Sequence, residues 1–393
     1  MTVKNQYPVV LLHGMFGFGQ QQVTNSFLPY FGLWKWNVKK HFNKMGIKTV
    51  APSMGPFTSA WDRACEVYAQ LVGGTVDYGK AHSEKYGHER YGRTYEALLP
   101  EWGTVDKDLN RVKINIIGHS FGGVSGRMLT ELMVHGSEEE RLATDPEDLS
   151  PLFKGGHEDW VHSITTLASP HNGMTSVEGN VGKAMGQICR VICDVMAIVD
   201  TTKLRNFYDL ELDMYHITTD PQKKTHIWKG FKDRQVKKFL FKNKDNIVYD
   251  LTLKGAAEVN EKLPMIDNVY YFSHRVCRTK GFLGKQYPTP LAFPILNILG
   301  FFMGRQPKKL MPGKKKIWRK NDMVINTESA KAPLGYPTRE LTKADKHVKF
   351  KPAKWYVYPE ARGDHMSYCG WLVRRKKYKK FYMSLYETVS NCE

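Results

Sequence analysis

The sequence predicts an α/β fold, a mostly parallel sheet with helices on both faces, and three stretches carry that expectation. Pro8-Val9-Val10-Leu11-Leu12 and Ile114-Asn115-Ile116-Ile117 are short, mostly apolar runs of the kind that form buried strands. The second run ends in Gly118-His119-Ser120-Phe121-Gly122, after which apolar residues recur with helical spacing at Met128, Leu129, Leu132 and Met133. A third run, Val161-His162-Ser163-Ile164-Thr165-Thr166-Leu167-Ala168, reads as the next strand.

The strand, the Gly-x-Ser-x-Gly turn and the following helix are the context of a nucleophile elbow, which belongs to the α/β-hydrolase fold. Gly118 and Gly122 leave room for a sharp turn that forces Ser120 into a strained conformation and lifts its hydroxyl clear of the sheet. The helix starting at Phe121 aims its first N–H groups at the place where negative charge would develop.

The 393 residues, 41% of them hydrophobic, suffice for a large core. No linker, repeat or low-complexity tract divides them, so residues 1–393 read as one domain with insertions. The net charge of +19 is open to three readings: a solvated basic surface, adsorption to anionic lipid, or nucleic-acid binding. Basic residues concentrate at 308–316 and 374–380, but no nucleic-acid motif accompanies them, which argues against the third reading. Six cysteines permit disulfides without requiring them. The chain runs straight into its first strand with no leader, as expected for the mature form of a secreted protein or for a cytoplasmic one. No apolar run is long enough to span a membrane.

Taken in order, the first strand (7–12) ends in His13-Gly14-Met15-Phe16-Gly17, where the fold places its second oxyanion donor. The Met15 and Phe121 backbone N–H groups are therefore the candidate oxyanion pair. A helix is expected at 34–43, a strand at 47–50 and a helix from Trp61 to about Val72. The polar, glycine-punctuated stretch 76–88 reads as a loop, and 136–156 as charged and irregular.

The stretch from Trp61 to Tyr95 resembles the zinc-binding extra domain of bacterial lipase family I.5, the secreted lipases of thermophilic Bacillus/Geobacillus and of staphylococci. Trp61-Asp62-Arg63-Ala64-Cys65-Glu66, Ala69-Gln70-Leu71-Val72-Gly73-Gly74-Thr75-Val76-Asp77-Tyr78-Gly79, His82 and His88 carry the likeness, and 249–256 adds to it. The resemblance implies a structural zinc held by Asp62, His82, His88 and Asp250, within a zinc-binding insertion at 60–100. Two imidazoles and two carboxylates suit a closed tetrahedral site.

Further along, Ser169-Pro170-His171-Asn172-Gly173 also looks like the family, although His171 precedes the expected acid and is given no catalytic role. Val181, Met185, Ile188, Ile192, Val195 and Val199 have helical spacing. That pattern fits a core helix or a lid, and the resemblance favours a lid within 174–215. The apolar stretch 290–304 is broken by Pro294 and is a candidate for packing over an acyl cleft or touching lipid.

Asn321-Asp322-Met323-Val324-Ile325-Asn326-Thr327 matches the family's motif around its catalytic acid, and Gly363-Asp364-His365-Met366 the motif around its histidine. The implied triad is Ser120, Asp322 and His365, in the chain order of an α/β-hydrolase. One departure stands out. Family members bind calcium through an acid two residues after that histidine and an Asp-Pro further on. Here Ser367 holds the first position and 370–375 contains no carboxylate, so a calcium site is expected to be lost or badly weakened.

The implied function is hydrolysis of carboxylic ester bonds of lipids at a lipid–water interface, most readily triacylglycerols, through an acyl-enzyme. The alternatives are a phospholipase or broad carboxylesterase, and a catalytically inactive lipid-binding protein.

Overall fold

The computed structural model describes residues 4–107, 109–199, 207–218, 221–222, 233–289, 294–345 and 348–392. Its centre is a seven-stranded sheet of β1 (Val9–Leu12), β2 (Thr49–Val50), β3 (Ile114–His119), β4 (Val161–Leu167), β5 (Tyr270–His274), β6 (Thr338–Glu340) and β7 (Lys354–Val357). The spatial order is β6-β7-β5-β4-β3-β1-β2, and every neighbouring pair is parallel. Parallel neighbours need crossovers, which put helices on both faces and bury the strands on both sides. Val10, Leu12 and Ile116 accordingly face a core shared with helices α1 (Ala60–Val72) and α2 (Phe121–His135). Val9, Leu11 and Ile117 face the opposite core, which includes Phe42, Tyr378 and Tyr382. This is the α/β-hydrolase architecture. Three further helices matter below: α3 (Gly179–Val199), α4 (Pro294–Met303) and α5 (Arg375–Ser390).

The stretch expected to be a loop at 76–88 differs. Gly74–Asp77 forms a strand paired with Tyr91–Tyr95, and Lys80–Tyr86 is a helix. The glycines mark its ends: Gly79 before it has φ 93° and Gly87 after it has φ 72°, conformations that favour a residue without Cβ. Likewise 136–156 is not wholly irregular. Glu138–Ala143 is a helix whose cap, Ser137, accepts from the Glu140 N–H.

Helix α3 buries part of the expected stripe, with Met185 and Ile192 packed partly buried against the core. Cys189 and Cys193 are fully buried, while Ile188, Val191 and Val195 are about half exposed. The side chain of Val199 lies outside the described residues, as do residues 200–206 of the expected lid region and 290–293 of the later apolar stretch. All six cysteines are buried and free, and no described helix is long and apolar enough to cross a membrane.

Candidate active site and metal cluster

Ser120 stands between β3 and α2 with φ 55° and ψ −132°, and is nearly buried. A non-glycine residue at positive φ is strained, and the surroundings hold it there. The Ser120 N–H donates to the Leu167 carbonyl at 2.8 Å. A Cβ on Gly14 would lie 2.5 Å from the Ser120 Cβ, and one on Gly122 would strike the Leu12 carbonyl. Those two glycines let the ends of β1 and β3 and the start of α2 close on one another.

Phe121 is the first residue of α2, so its N–H has no partner within the helix. Met15 lies in the Gly14–Gly17 turn, closed by the Gly17 N–H donating to the Gly14 carbonyl at 3.1 Å. Phe16 takes φ 57° there. Both predicted oxyanion donors thus flank Ser120, from the end of β1 and the start of α2.

Asp322 and His365 meet directly. The His365 Nδ1–H donates to Asp322 Oδ2 at 2.9 Å, and the His365 backbone N–H donates to the Asp322 carbonyl at 2.8 Å. Asp322 Oδ1 accepts from the Val324 and Ile325 N–H groups at 2.9 and 2.7 Å. Both carboxylate oxygens are therefore fixed, and His365 Nε2 keeps the lone pair. Ser367 is taken up in a capping box, with its Oγ donating to Asp364 Oδ1 at 3.1 Å. His171 packs against Trp355, with Nε2 beside Thr166 Oγ1 at 3.1 Å.

A relay that sequence reasoning missed joins the two halves of the site. The Gly14 N–H donates to Tyr30 Oη at 3.2 Å, and Tyr30 Oη lies 2.7 Å from His119 Nδ1. His119 Nε2 lies 3.0 Å from the His365 carbonyl, and the two imidazole rings are 4.7 Å apart. A carbonyl only accepts, so His119 carries its proton on Nε2 and the Tyr30 O–H donates to Nδ1. Burial first, and the nearby His365 next, hold the His119 pKa well below the usual histidine range, which keeps it neutral. Tyr30→Phe removes the bridge at its middle. We expect kcat to fall about tenfold with KM nearly unchanged, and stability to fall by about 1–2 kcal/mol. Steady-state kinetics on a soluble ester and thermal unfolding check this.

Asp62, His82, His88 and Asp245 converge so that one ligand atom from each lies within 4.8 Å of the others. His82 Nε2 is 3.3 Å from Asp62 Oδ1 and 3.1 Å from Asp245 Oδ2, and His88 Nε2 is 3.3 Å from Asp245 Oδ2. The His88 Nδ1–H donates to the Glu89 carbonyl at 2.8 Å, which leaves Nε2 as a lone-pair donor. The His82 ring is stacked on Trp61 at 4.8 Å. Burial disfavours the charged form of His82, but Asp245 and Asp62 overcome it and push the pKa to about 10. Two buried carboxylates need positive charge between them. Among the described residues Asp62 Oδ1 and Oδ2, His82 Nε2 and His88 Nε2 have no hydrogen-bond partner, so the donor set fits a metal ion.

Asp250, the fourth ligand expected from sequence, is not part of the cluster. Its Oδ2 accepts from the Ala60 N–H at 2.9 Å, at the N-terminus of α1. It sits at the end of the short helix Ile247–Asp250, which turns it toward α1, whereas Asp245 precedes that helix and faces the histidines. The signal that marks Asp245 is an Asx-rich turn, Asn243-Lys244-Asp245-Asn246, in which Asn243 Oδ1 accepts from the Asp245 N–H at 3.1 Å.

Arg63 ties the cluster to the elbow. It is fully buried on α1, next in sequence to Asp62. Its Nε donates to Ser125 Oγ on α2 at 2.9 Å, its Nη1 to the Gly55 carbonyl at 2.9 Å, and its Nη2 to the His13 carbonyl beside the oxyanion turn. Burial lowers its pKa only to about 10, so it remains a cation.

Comparison with known proteins gives a consistent picture. A family model described as "Lipase-like, C-terminal domain" matches residues 5–392. A lipase of Staphylococcus epidermidis is 33% identical over 371 residues, which cover 93% of this chain and 50% of that protein. Lipase 1 of Staphylococcus aureus is 32% identical over 373 residues, covering 93% of this chain and 51% of that protein. The chain thus spans about half the length of the curated relatives it matches. Among solved structures, Staphylococcus hyicus lipase superposes with a TM-score of 0.84 at 29% identity, over 99% of this chain and 96% of that one. Lipase 1 from Pelosinus fermentans gives 0.78 at 32% identity, over 97% and 98%.

Proposed function

On the premise that the chain belongs to the lipase family of the staphylococcal enzymes, we propose that it hydrolyses carboxylic esters of lipids, triacylglycerols foremost, with Ser120, His365 and Asp322 as its triad. The observation that carries this reading is the His365–Asp322 pair, with both acid oxygens held, joined through the His365 carbonyl to His119, the residue before a serine at φ 55°.

His365 Nε2 takes the Ser120 proton as Oγ attacks the ester carbonyl. The Met15 and Phe121 N–H groups receive the oxyanion. His365 then gives the proton to the leaving alkoxide, which departs as alcohol and leaves an acyl-serine. Water, deprotonated by the same nitrogen, releases the acid and restores Ser120. Asp322 holds the imidazole in its tautomer and stabilises its cation.

Helix α3 serves as the lid in this reading. Its half-exposed stripe of Ile188, Val191 and Val195 suits contact with lipid when the site opens. Export follows the resemblance to secreted lipases, and cell fractionation tests it.

The metal of the Asp62, His82, His88 and Asp245 cluster is zinc in this reading, with a structural role: a closed set of two nitrogens and two oxygens leaves no position for substrate. It fastens the 60–100 insertion and the start of α1 to the turn at Asp245. We expect Asp245→Asn to lose the metal and Asp250→Asn to keep one ion per chain, as read by metal analysis of purified protein. Burial, with Asp245 and Asp62 nearby, pushes the Asp250 pKa up to about 8. In the metal-free chain its proton contributes stability that is full at low pH and is lost as pH rises through about 8. Asp250→Asn should flatten that decline in unfolding measurements across the range.

Hydrolysis of tributyrin and triolein emulsions beside phosphatidylcholine and phosphatidylglycerol micelles tests the whole reading. Triacylglycerol turnover that vanishes in Ser120→Ala supports it. The net charge of +19 favours one second reading, a phospholipase. Turnover of phospholipid alone would select that.

A further inference from the structure

We propose that the hairpin Thr279–Pro288, helix α4 and residues 304–319 build a docking surface for membranes rich in anionic phospholipid, distinct from the α3 stripe. The proposal rests on the lipid-hydrolase reading for its purpose, but not for its measurement. No Asp or Glu occurs between Asp267 and Asp322, while Lys280, Lys285, Lys308, Lys309 and the run Lys314-Lys315-Lys316 are all exposed.

Among these cations stand exposed apolar side chains that no core accounts for. Thr279–Phe282 and Lys285–Pro288 form a hairpin whose two-residue turn is Leu283-Gly284, with φ 46° and 71°. Such a turn favours Asn, Asp or Gly at its first position. Here a leucine holds it, strained and 84% exposed, beside Phe282 at 64%. Helix α4 adds Ile298, Phe301 and Phe302, all exposed, while its Leu299 and Met303 face inward.

These parts form one continuous surface. The Gln286 N–H donates to the Gly304 carbonyl at 2.9 Å, and Arg305 lies over the Tyr287 and Phe301 rings at 3.9 and 3.2 Å. Arg319 Nη1 donates to the Gly284 carbonyl at 2.6 Å, so the 308–319 segment packs at the hairpin tip. Ile317 lines a groove with Phe282, Leu283 and Lys316. The surface also reaches the candidate active site: Asn321 Nδ2 donates to the Gly300 carbonyl of α4 at 3.2 Å, one residue before Asp322.

Exposed lysines beside an exposed Leu, Phe and Ile cluster match an anionic bilayer, with ammonium groups at the phosphates and apolar tips below them. Nucleic acid fits less well: Phe282, Phe301 and Phe302 could stack on bases, but Leu283, Ile298 and Ile317 beside them would stay in water, whereas a bilayer buries all six. A second copy of the chain would set these exposed lysines against one another, since the Glu360 carboxylate beside the groove is already taken by Lys320.

The test uses the Ser120→Ala chain, which binds without turnover, and vesicles of phosphatidylcholine with and without phosphatidylglycerol. Sedimentation should show binding at least about tenfold tighter with phosphatidylglycerol, weakened by salt. Adding Lys314→Gln, Lys315→Gln and Lys316→Gln together should weaken binding more than about tenfold. Leu283→Asp should also weaken it, at a turn position where Asp is at ease. In the active chain, neither set should change hydrolysis of a soluble butyrate ester. Equal binding to both vesicle types, or binding unaffected by either set, overturns the proposal. So does retention of a single-stranded oligonucleotide by the native chain with no preference for phosphatidylglycerol. Failure of the hydrolase reading would show instead as an inactive native chain whose vesicle binding is intact.

Discussion

Ser120→Ala is expected to lower ester hydrolysis by about 10⁵- to 10⁶-fold, with KM nearly unchanged, because it removes the attacking oxygen and leaves the binding surface intact. The remaining rate would come from the Met15 and Phe121 N–H groups and from binding alone. The fold should tolerate the change well. The hydroxyl is not among the groups that hold the elbow: the Ser120 N–H bond to Leu167 and the close approach of Gly14 involve the backbone and Cβ. Ser120→Gly gives a sharper form of the same prediction. It should abolish activity and raise the melting temperature, since glycine relieves the cost of φ 55°, on the order of 1–3 kcal/mol. Kinetics on a soluble ester together with thermal unfolding separate the two effects.

The second large effect is expected at Arg63. Arg63→Met removes the donor to the Ser125 hydroxyl and to the Gly55 and His13 carbonyls at one stroke. Leaving buried acceptors without their charged donor costs about 1–3 kcal/mol for each orphaned group. The loss should appear in thermal unfolding. It should also appear in kcat, because the His13 carbonyl belongs to the chain that leads into the Met15 turn. Arg63→Lys should recover only part of either, since an ammonium cannot reproduce the three-way fork. A residue acting through packing alone would lower stability and leave kcat against KM unchanged, so the two readouts together identify a positioning role.

Much of the site is legible in the sequence because its chemistry is local. A strand, a Gly-x-Ser-x-Gly turn and a helix must be contiguous to make an elbow, and Asp322 sits in a motif whose following N–H groups fold back onto its carboxylate. What stayed hidden depends on long-range packing. Arg63 lies on a helix that is buried almost all round, from Ala60 to Leu71, and an arginine there carries no sequence mark of burial. Asp245 and Asp250 share one family-like segment, and only the direction of the short helix Ile247–Asp250 separates a cluster member from a helix-end acceptor. The Tyr30–His119 relay joins residues 89 positions apart and has no sequence signature. The Lys80–Tyr86 helix does not stand out in the sequence, because its capping glycines resemble the punctuation of a loop.

The most direct test of the account is labelling of the native chain with an organophosphonate p-nitrophenyl ester, followed by intact-mass and peptide analysis. One phosphonate per chain, on Ser120, absent from Ser120→Ala and much slower to form in Asp322→Asn, is the predicted result. A native chain that stays unlabelled, or one labelled at another residue, would contradict the triad and the function built on it.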